Sequence, residues 1–229
     1  MKLEGVLIDF GDTLAYIDKE GNRKYREAVL SIVSKNGYRG DFEELSLAFD
    51  DLIRNSMKGE IKSLQEFWQL LLKNLKINAR PTLLIEELEN VRSRYSGVVF
   101  KLYDGTLQVL EILQKKFKLA LVSNCAIGTS DMMEDLELMG YFDCVSLSYE
   151  VGVRKPDERI YLEALHCLGL KPDDCVFVAD EISDLEGARD LGLKTLLVRQ
   201  GSFTTYEARN LDFKPDFECN SISEIRNLL

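Results

Sequence analysis

Gly5-Val6-Leu7-Ile8 runs directly into Asp9-Phe10-Gly11-Asp12-Thr13-Leu14. Four apolar residues in a row, ending on a carboxylate and a glycine-bearing loop, describe a strand covered on both faces. A strand with one wet face would alternate instead. Short runs of the same kind occupy residues 119–123, 145–148, 176–180 and 195–198. Amphipathic helical patterns separate the later ones. Leu107, Leu110 and Leu113 share one face of residues 104–115. Ile160, Ala164, Leu165 and Leu168 share one face of residues 157–168, which Gly169 then stops. Strand–helix alternation with right-handed crossovers predicts an α/β fold built on a doubly wound parallel sheet.

The interval between the first two runs is too long for a simple crossover. Residues 15–95 read as helical throughout, with no strand. Leu45, Leu47 and Phe49, then Phe67, Leu70, Leu71 and Leu75, then Leu83, Leu84, Leu88 and Val91 mark separate amphipathic stretches, and Asn78, Arg80 and Pro81 punctuate them. The expected organisation is an α/β core of residues 1–14 and 96–229, with an all-helical domain of residues 15–95 inserted over the C-terminal strand edge.

Bulk properties narrow the function. The 229 residues carry 39 acidic and 29 basic side chains, a formal net charge of -10. An acidic surface argues against nucleic acid and against an anionic membrane surface. No stretch is long enough to span a bilayer. Five cysteines, an odd number with no C-x-x-C spacing, are expected to be reduced thiols. The N-terminus reads as neither signal peptide nor anchor, so the expected location is the cytoplasm.

In open α/β sheets, ligands bind beyond the C-terminal strand ends. Asp9, Ser123 and Asp180 stand at three such ends, Lys155 follows the third run, and Asp184 lies four residues past Asp180. Clustered carboxylates repel one another unless a cation joins them. Mg²⁺ suits hard oxygen ligands and brings substrate phosphate into its shell. Lys155 adds a second positive charge, and Ser123 with the following turn can donate to phosphate oxygens. The expected ligand is a small phosphorylated molecule.

Four stretches also carry a resemblance. Asp9-Phe10-Gly11-Asp12-Thr13-Leu14, Leu121-Val122-Ser123-Asn124, Val153-Arg154-Lys155-Pro156-Asp157, and Val178-Ala179-Asp180 with Asp184-Leu185-Glu186-Gly187-Ala188 are similar, in order, to the motifs of the haloacid dehalogenase superfamily. The resemblance implies a Rossmann-like core with a helical cap. It implies that Asp9 is nucleophile and Mg²⁺ ligand, with the Gly11 carbonyl, Asp180 and Asp184 completing the metal site. Ser123, with Asn124 as a weaker candidate, would bind the phosphoryl group, and Lys155 would neutralise Asp9 and substrate. The implied activity is Mg²⁺-dependent phosphatase chemistry through an aspartyl-phosphate. The family's dehalogenases use no acidic pair at the fourth motif, so Asp180 and Asp184 count against dehalogenation.

One position departs from the pattern. Phosphatases of this family carry an acid two residues after the nucleophile, where this chain has Gly11, and the carboxylate stands at Asp12 instead. Asp12 bends into the acid–base role, or a good leaving group makes the acid unimportant, or the protein is a catalytically weakened phosphate-binding or regulatory protein. Elsewhere the plainer readings hold. His166 and Cys125 are expected to be structural, Trp68 to belong to the cap core, Thr13 to cap the next turn, and Arg23-Lys24-Tyr25-Arg26 to form a solvated helix face.

Overall fold

Each strand of the sheet distributes its side chains to two apolar layers. The structure is a computed structural model describing residues 2–77, 81–200 and 212–229. In β1 (Gly5–Ile8), Val6 and Ile8 enter one layer and Leu7 the other. The chain continues through β2 (Ala15–Ile17), α1 (Lys19–Lys35), α2 (Phe42–Met57), α3 (Leu64–Asn74), α4 (Pro81–Val99), β3 (Phe100–Leu102) and α5 (Thr106–Leu113). Then come β4 (Lys118–Ser123), α6 (Thr129–Asp135), β5 (Cys144–Leu147), α7 (Ser148–Val151), α8 (Glu158–Leu168), β6 (Cys175–Ala179), α9 (Ile182–Asp190), β7 (Lys194–Val198) and β8 (Phe217–Cys219). The strands form a parallel six-stranded sheet in the order β5-β4-β1-β6-β7-β8. α5 packs Val109, Leu110 and Leu113 on one face, and α8 with α9 packs Ile160, Tyr161, Leu165 and Leu185 on the other. The α/β fold expected from the apolar runs is the observed one.

Strand order puts the chemistry together. β1 lies between β4 and β6, with Ile8 opposite Leu121 and Val178. Asp9, Ser123 and Asp180 therefore leave the sheet at the same edge, on adjacent strands spaced about 4.8 Å apart.

The helices α1 to α4 enclose a separate core, in which Val29, Leu45, Trp68, Leu71 and Leu88 are inaccessible to solvent or nearly so. Asp18, Asp41 and Ser63 cap α1, α2 and α3 by accepting from backbone N–H groups of the first turns. Pro81 opens α4, where its missing N–H removes no helical bond; Asn78 and Arg80 lie outside the described residues.

Three features differ from expectation. Residues 15–95 are not helical throughout: β2 pairs antiparallel with β3, setting Ile17 opposite Phe100. Three-residue strands are too short to show a period. β8 adds a sixth strand to the sheet edge, and its short, half-exposed Phe217-Glu218-Cys219 run gives no sequence signal. The third difference corrects the expectation of reduced thiols: Cys144 and Cys167 form a disulfide, while Cys125, Cys175 and Cys219 are free and buried. The bonded pair sits on β5 and on α8, which crosses over it, so only the tertiary fold brings the thiols together. No described helix is long and apolar enough to cross a membrane.

Two predictions follow from these ties. The disulfide closes a sequence separation of 23 residues, which in the chain-entropy account is worth roughly 3 kcal/mol. Cys167→Ser is expected to lose about that much in non-reducing chemical denaturation, and adding a reductant should then change nothing further. Asp216 fastens β8 to β7 by accepting from Thr195 N at 3.0 Å and Thr195 Oγ1 at 2.9 Å and by pairing with Lys194 at 2.9 Å. Burial works to raise this carboxyl, but the Lys194 ammonium and the Thr195 donors outweigh it and hold it down at about 2. A depressed folded-state value gives stability that is present above the unfolded value of about 3.9 and lost as pH falls towards 2. The side chain is 26% exposed, so Asp216→Asn should cost at most about 1 kcal/mol at pH 7 and nothing near pH 2 in urea titrations.

Candidate active site

Asp9 leaves β1 already oriented. The Phe10 N–H donates to its Oδ1 at 2.7 Å, and the Asp9 N–H donates to the Val178 carbonyl of β6. The carboxylate is buried. Burial pushes it above the usual carboxylate range, and Asp184 adds to the push against the pull of Lys155. Lys155 Nζ stands 2.6 Å from Asp9 Oδ1 and 2.8 Å from Asp184 Oδ2, with its side chain 1% exposed. Burial alone would drive off the ammonium's proton, but Asp184 and Asp9 more than compensate and hold Lys155 well above its ordinary value. The ammonium also lies 5.3 Å from the Phe177 ring centroid.

The surrounding elements fix that lysine. The Asn124 side chain clamps its main chain: the Lys155 N–H donates to Asn124 Oδ1 at 2.7 Å, and Asn124 Nδ2 donates to the Lys155 carbonyl at 3.2 Å. Gly187 of α9 allows the next residue to approach, since a Cβ there would stand 2.7 Å from the Pro156 carbonyl oxygen. Asp184 sits in the first turn of α9, and its own carbonyl accepts from Tyr161 Oη at 2.8 Å.

Asp180 follows β6 and is also buried. Burial and the neighbouring Asp9 charge push it up to about 8, with Lys155 pulling the other way. Thr13, expected to cap the next turn, instead spends its hydroxyl on Asp180. Its hydroxyl accepts from the Asp180 N–H at 3.1 Å and donates to Asp180 Oδ1 at 3.2 Å, tying the loop after β1 to the end of β6. Ser123 is buried at the end of β4 and faces the cavity described below. Two buried carboxylates, Asp9 and Asp184, thus grip the buried ammonium, and a third, Asp180, stands close enough to feel both Asp9 and Lys155. Among the described residues, no three acidic, histidine or cysteine side chains are gathered so as to enclose a metal ion; Lys155 stands between Asp9 and Asp184.

At the departing position, Gly11 has nothing within 4 Å of where a Cβ would stand. Asp12 adopts a left-handed φ of 52°, uncommon for a residue other than glycine but tolerated by aspartate. Its N–H donates to the Ala15 carbonyl at 2.7 Å, and its Oδ1 accepts from Tyr103 Oη at 3.2 Å. Tyr103, just past β3, gave no sequence signal, because only the β2–β3 pairing brings it to the loop after β1. Cys125 is buried, and burial with the Asp9 charge raises its thiol far above the ordinary value, which disfavours the thiolate.

A cavity of about 850 Å³ opens from this loop into the helical bundle, with Gly11, Asp12, Ser123 and Asn124 at one end and Tyr25, Phe49 and Trp68 at the other. The run at residues 23–26 is therefore only half a solvated face. Arg23 and Lys24 are exposed, while Tyr25 is buried and Arg26 lines the cavity. Helices and core touch around it: the Ile127 N–H donates to Ser56 Oγ at 2.8 Å, and Arg92 pairs with Asp131 at 2.7 Å.

Known proteins resemble this chain in family and in fold. The family model for haloacid dehalogenase-like hydrolases matches residues 3–192. Glyceraldehyde 3-phosphate phosphatase of Methanopyrus kandleri is 27% identical over 99% of this chain and 97% of its own length. Phosphoglycolate phosphatase of Aquifex aeolicus is 34% identical over 63% of this chain and 68% of its own. Among solved structures, a 2-haloacid dehalogenase from Pseudomonas syringae superposes with a TM-score of 0.76 at 23% identity, over 99% of this chain and 97% of that one, a likeness of fold.

Lys155→Met would leave Asp9 and Asp184 buried without their cation, which typically costs about 3–5 kcal/mol. Without the ammonium, nothing would offset the burial that raises Asp9, so the folded variant would bind more protons than the unfolded chain and gain stability as pH falls. Chemical denaturation should show a large loss at pH 7 that shrinks at pH 5.

Proposed function

The chain belongs to the haloacid dehalogenase-like hydrolase family, and on that premise we propose that it is a phosphatase that hydrolyses a phosphorylated small molecule through an aspartyl-phosphate on Asp9. The observation that carries the reading is the buried Asp9 carboxylate, paired at 2.6 Å with a lysine that has no route to solvent. The names of the two phosphatase relatives support the substrate class.

In this reading an Asp9 carboxylate oxygen attacks phosphorus as the ester P–O bond breaks and the alcohol departs. Water then cleaves the acyl phosphate, releasing inorganic phosphate and restoring Asp9. Lys155 opposes the burial that raises Asp9 and so favours its ionised form for the attack, then offsets the charge on the phosphoryl oxygens after it. Ser123 Oγ donates to one of those oxygens. Asn124 keeps the Lys155 backbone in place, so its contribution to phosphate binding is indirect. Asp12, steadied by Tyr103, lends the leaving oxygen its proton and later takes one from water, the work that Gly11 lacks a side chain to do.

The oxygen donors of Asp9, Asp180 and the Gly11 carbonyl fit a hard divalent cation, and Asp180, pushed up to about 8, is a carboxylate short of positive charge. These residues would hold Mg²⁺, with Asp184 orienting its waters, and such an ion when bound supplies positive charge to the phosphoryl group. The helical segment of residues 15–95 serves as a cap that excludes water and selects the alcohol.

The second reading, a weakened phosphate-binding protein, rests on Gly11 alone. Phosphate release with Mg²⁺ present should fall to background in Asp9→Asn and on chelation of the metal. Asp12→Asn should lower kcat about 10²–10⁴-fold on an alkyl phosphate, and far less on an activated aryl phosphate. An Asp12→Asn enzyme at full rate, together with a large gain from Gly11→Asp, would instead favour the second reading.

A further inference from the structure

The cavity over the site is mismatched in size and chemistry to a two- or three-carbon phosphate. Its volume of about 850 Å³ stands near the top of the roughly 300–1,000 Å³ range of sites that hold drug-sized ligands. A short ester seated at Ser123 would leave most of that space to water, against walls that repel it.

The walls away from the site are aromatic and aliphatic. Phe49, Phe67 and Trp68 form a mutually packed cluster with ring centroids 5.3–5.9 Å apart. Ile53, Met57 and Met132 are partly exposed and line the same space. The Trp68 indole N–H is spent on Glu89, and its fully buried ring backs the Phe49 and Phe67 side of the cavity. The charged groups are committed as well. Arg26 pairs with Asp50, donates to the Ser46 carbonyl at 3.2 Å and lies over the Phe49 ring. Arg92 pairs with Glu89 at 3.0 Å and with Asp131 at 2.7 Å. Lys19, the third cation among the described lining residues, is exposed to solvent. The two inward cations are thus already neutralised, which leaves little to recognise a second anionic group such as a carboxylate.

We propose that the preferred substrate is a phosphate monoester of a bulky, uncharged, mainly apolar alcohol, whose body fills the chamber between the helices and the core while its phosphate reaches Asp9. The assignment rests on the phosphatase reading for its chemistry and on the chamber for its selectivity, and two parallel measurements separate the two. The first follows kcat/KM of the full chain with Mg²⁺ on linear alkyl phosphates of two to ten carbons, beside glyceraldehyde 3-phosphate and phosphoglycolate. The second follows calorimetric binding of the matching alkylphosphonates, whose P–C bond cannot be hydrolysed.

Both kcat/KM and affinity are expected to rise roughly two- to fourfold per methylene until the chamber is full, with the two short metabolites at least about tenfold below hexyl phosphate. Met57→Asp, a change at a partly exposed wall position, should flatten the slope. Affinity that is flat or falls with chain length, or a slope untouched by Met57→Asp, overturns the proposal. Turnover with a flat series sinks the chamber and keeps the phosphatase. Affinity that climbs with no turnover of any ester keeps the chamber and sinks the phosphatase.

Discussion

An ammonium with 1% of its side chain exposed, caught between two buried carboxylates, organises this end of the molecule. Each charge alone would be expensive to bury, and together they are tolerable only while the geometry holds. That geometry is built from distant parts of the chain. β1 delivers Asp9, the turn after β4 supplies the Asn124 clamp, α9 presents Asp184, and Gly187 lets the Lys155–Pro156 segment come close. A third carboxylate, Asp180, is left without comparable compensation and is pushed up to about 8. The charge imbalance at the strand ends is therefore fixed by the fold, and in the proposed reading it is what would draw in a cation and then phosphate.

The helical unit adds a different constraint. Its aromatic core is finished on the outside, where α1 to α4 bury Val29, Leu45 and Leu88, but it is left unfilled where it faces the strand ends. Ser56 and Arg92 hold the two parts together by hydrogen bonds and ion pairs at the rim, and the apolar walls between them stay available. Polar groups thus fix the position of the chamber, and its apolar walls are the source of the selectivity we propose.

Much of this was readable in the sequence, because the signals were local. Uninterrupted apolar runs pointed to the parallel strands, and the carboxylate or hydroxyl at the end of three of them pointed to Asp9, Ser123 and Asp180. Gly169 gave the end of α8. What could not be read depended on contacts between remote segments. The Cys144–Cys167 bond joins a strand to the helix crossing it, Tyr103 reaches Asp12 across 91 positions, and Thr13 reaches Asp180 across 167. β2, β3 and β8 are three residues each, below the length at which alternation can be recognised. Trp68 lies in the core of the helical unit as expected, but Arg26 looked like a solvated member of an amphipathic helix, because helical spacing cannot separate a wet face from a cavity wall.

The β2–β3 ribbon sets Ile17 beside Phe100, so the backbone enters and leaves the helical excursion through a doorway about 5 Å wide. The chain between those two residues starts and ends at one hydrogen-bonded frame. A lineage can therefore lengthen, shorten or replace the intervening part without rethreading the sheet below. Two chains with the same reactive floor are free to diverge in the room built above it, which leaves sequence identity across the floor a poor guide to what that room admits.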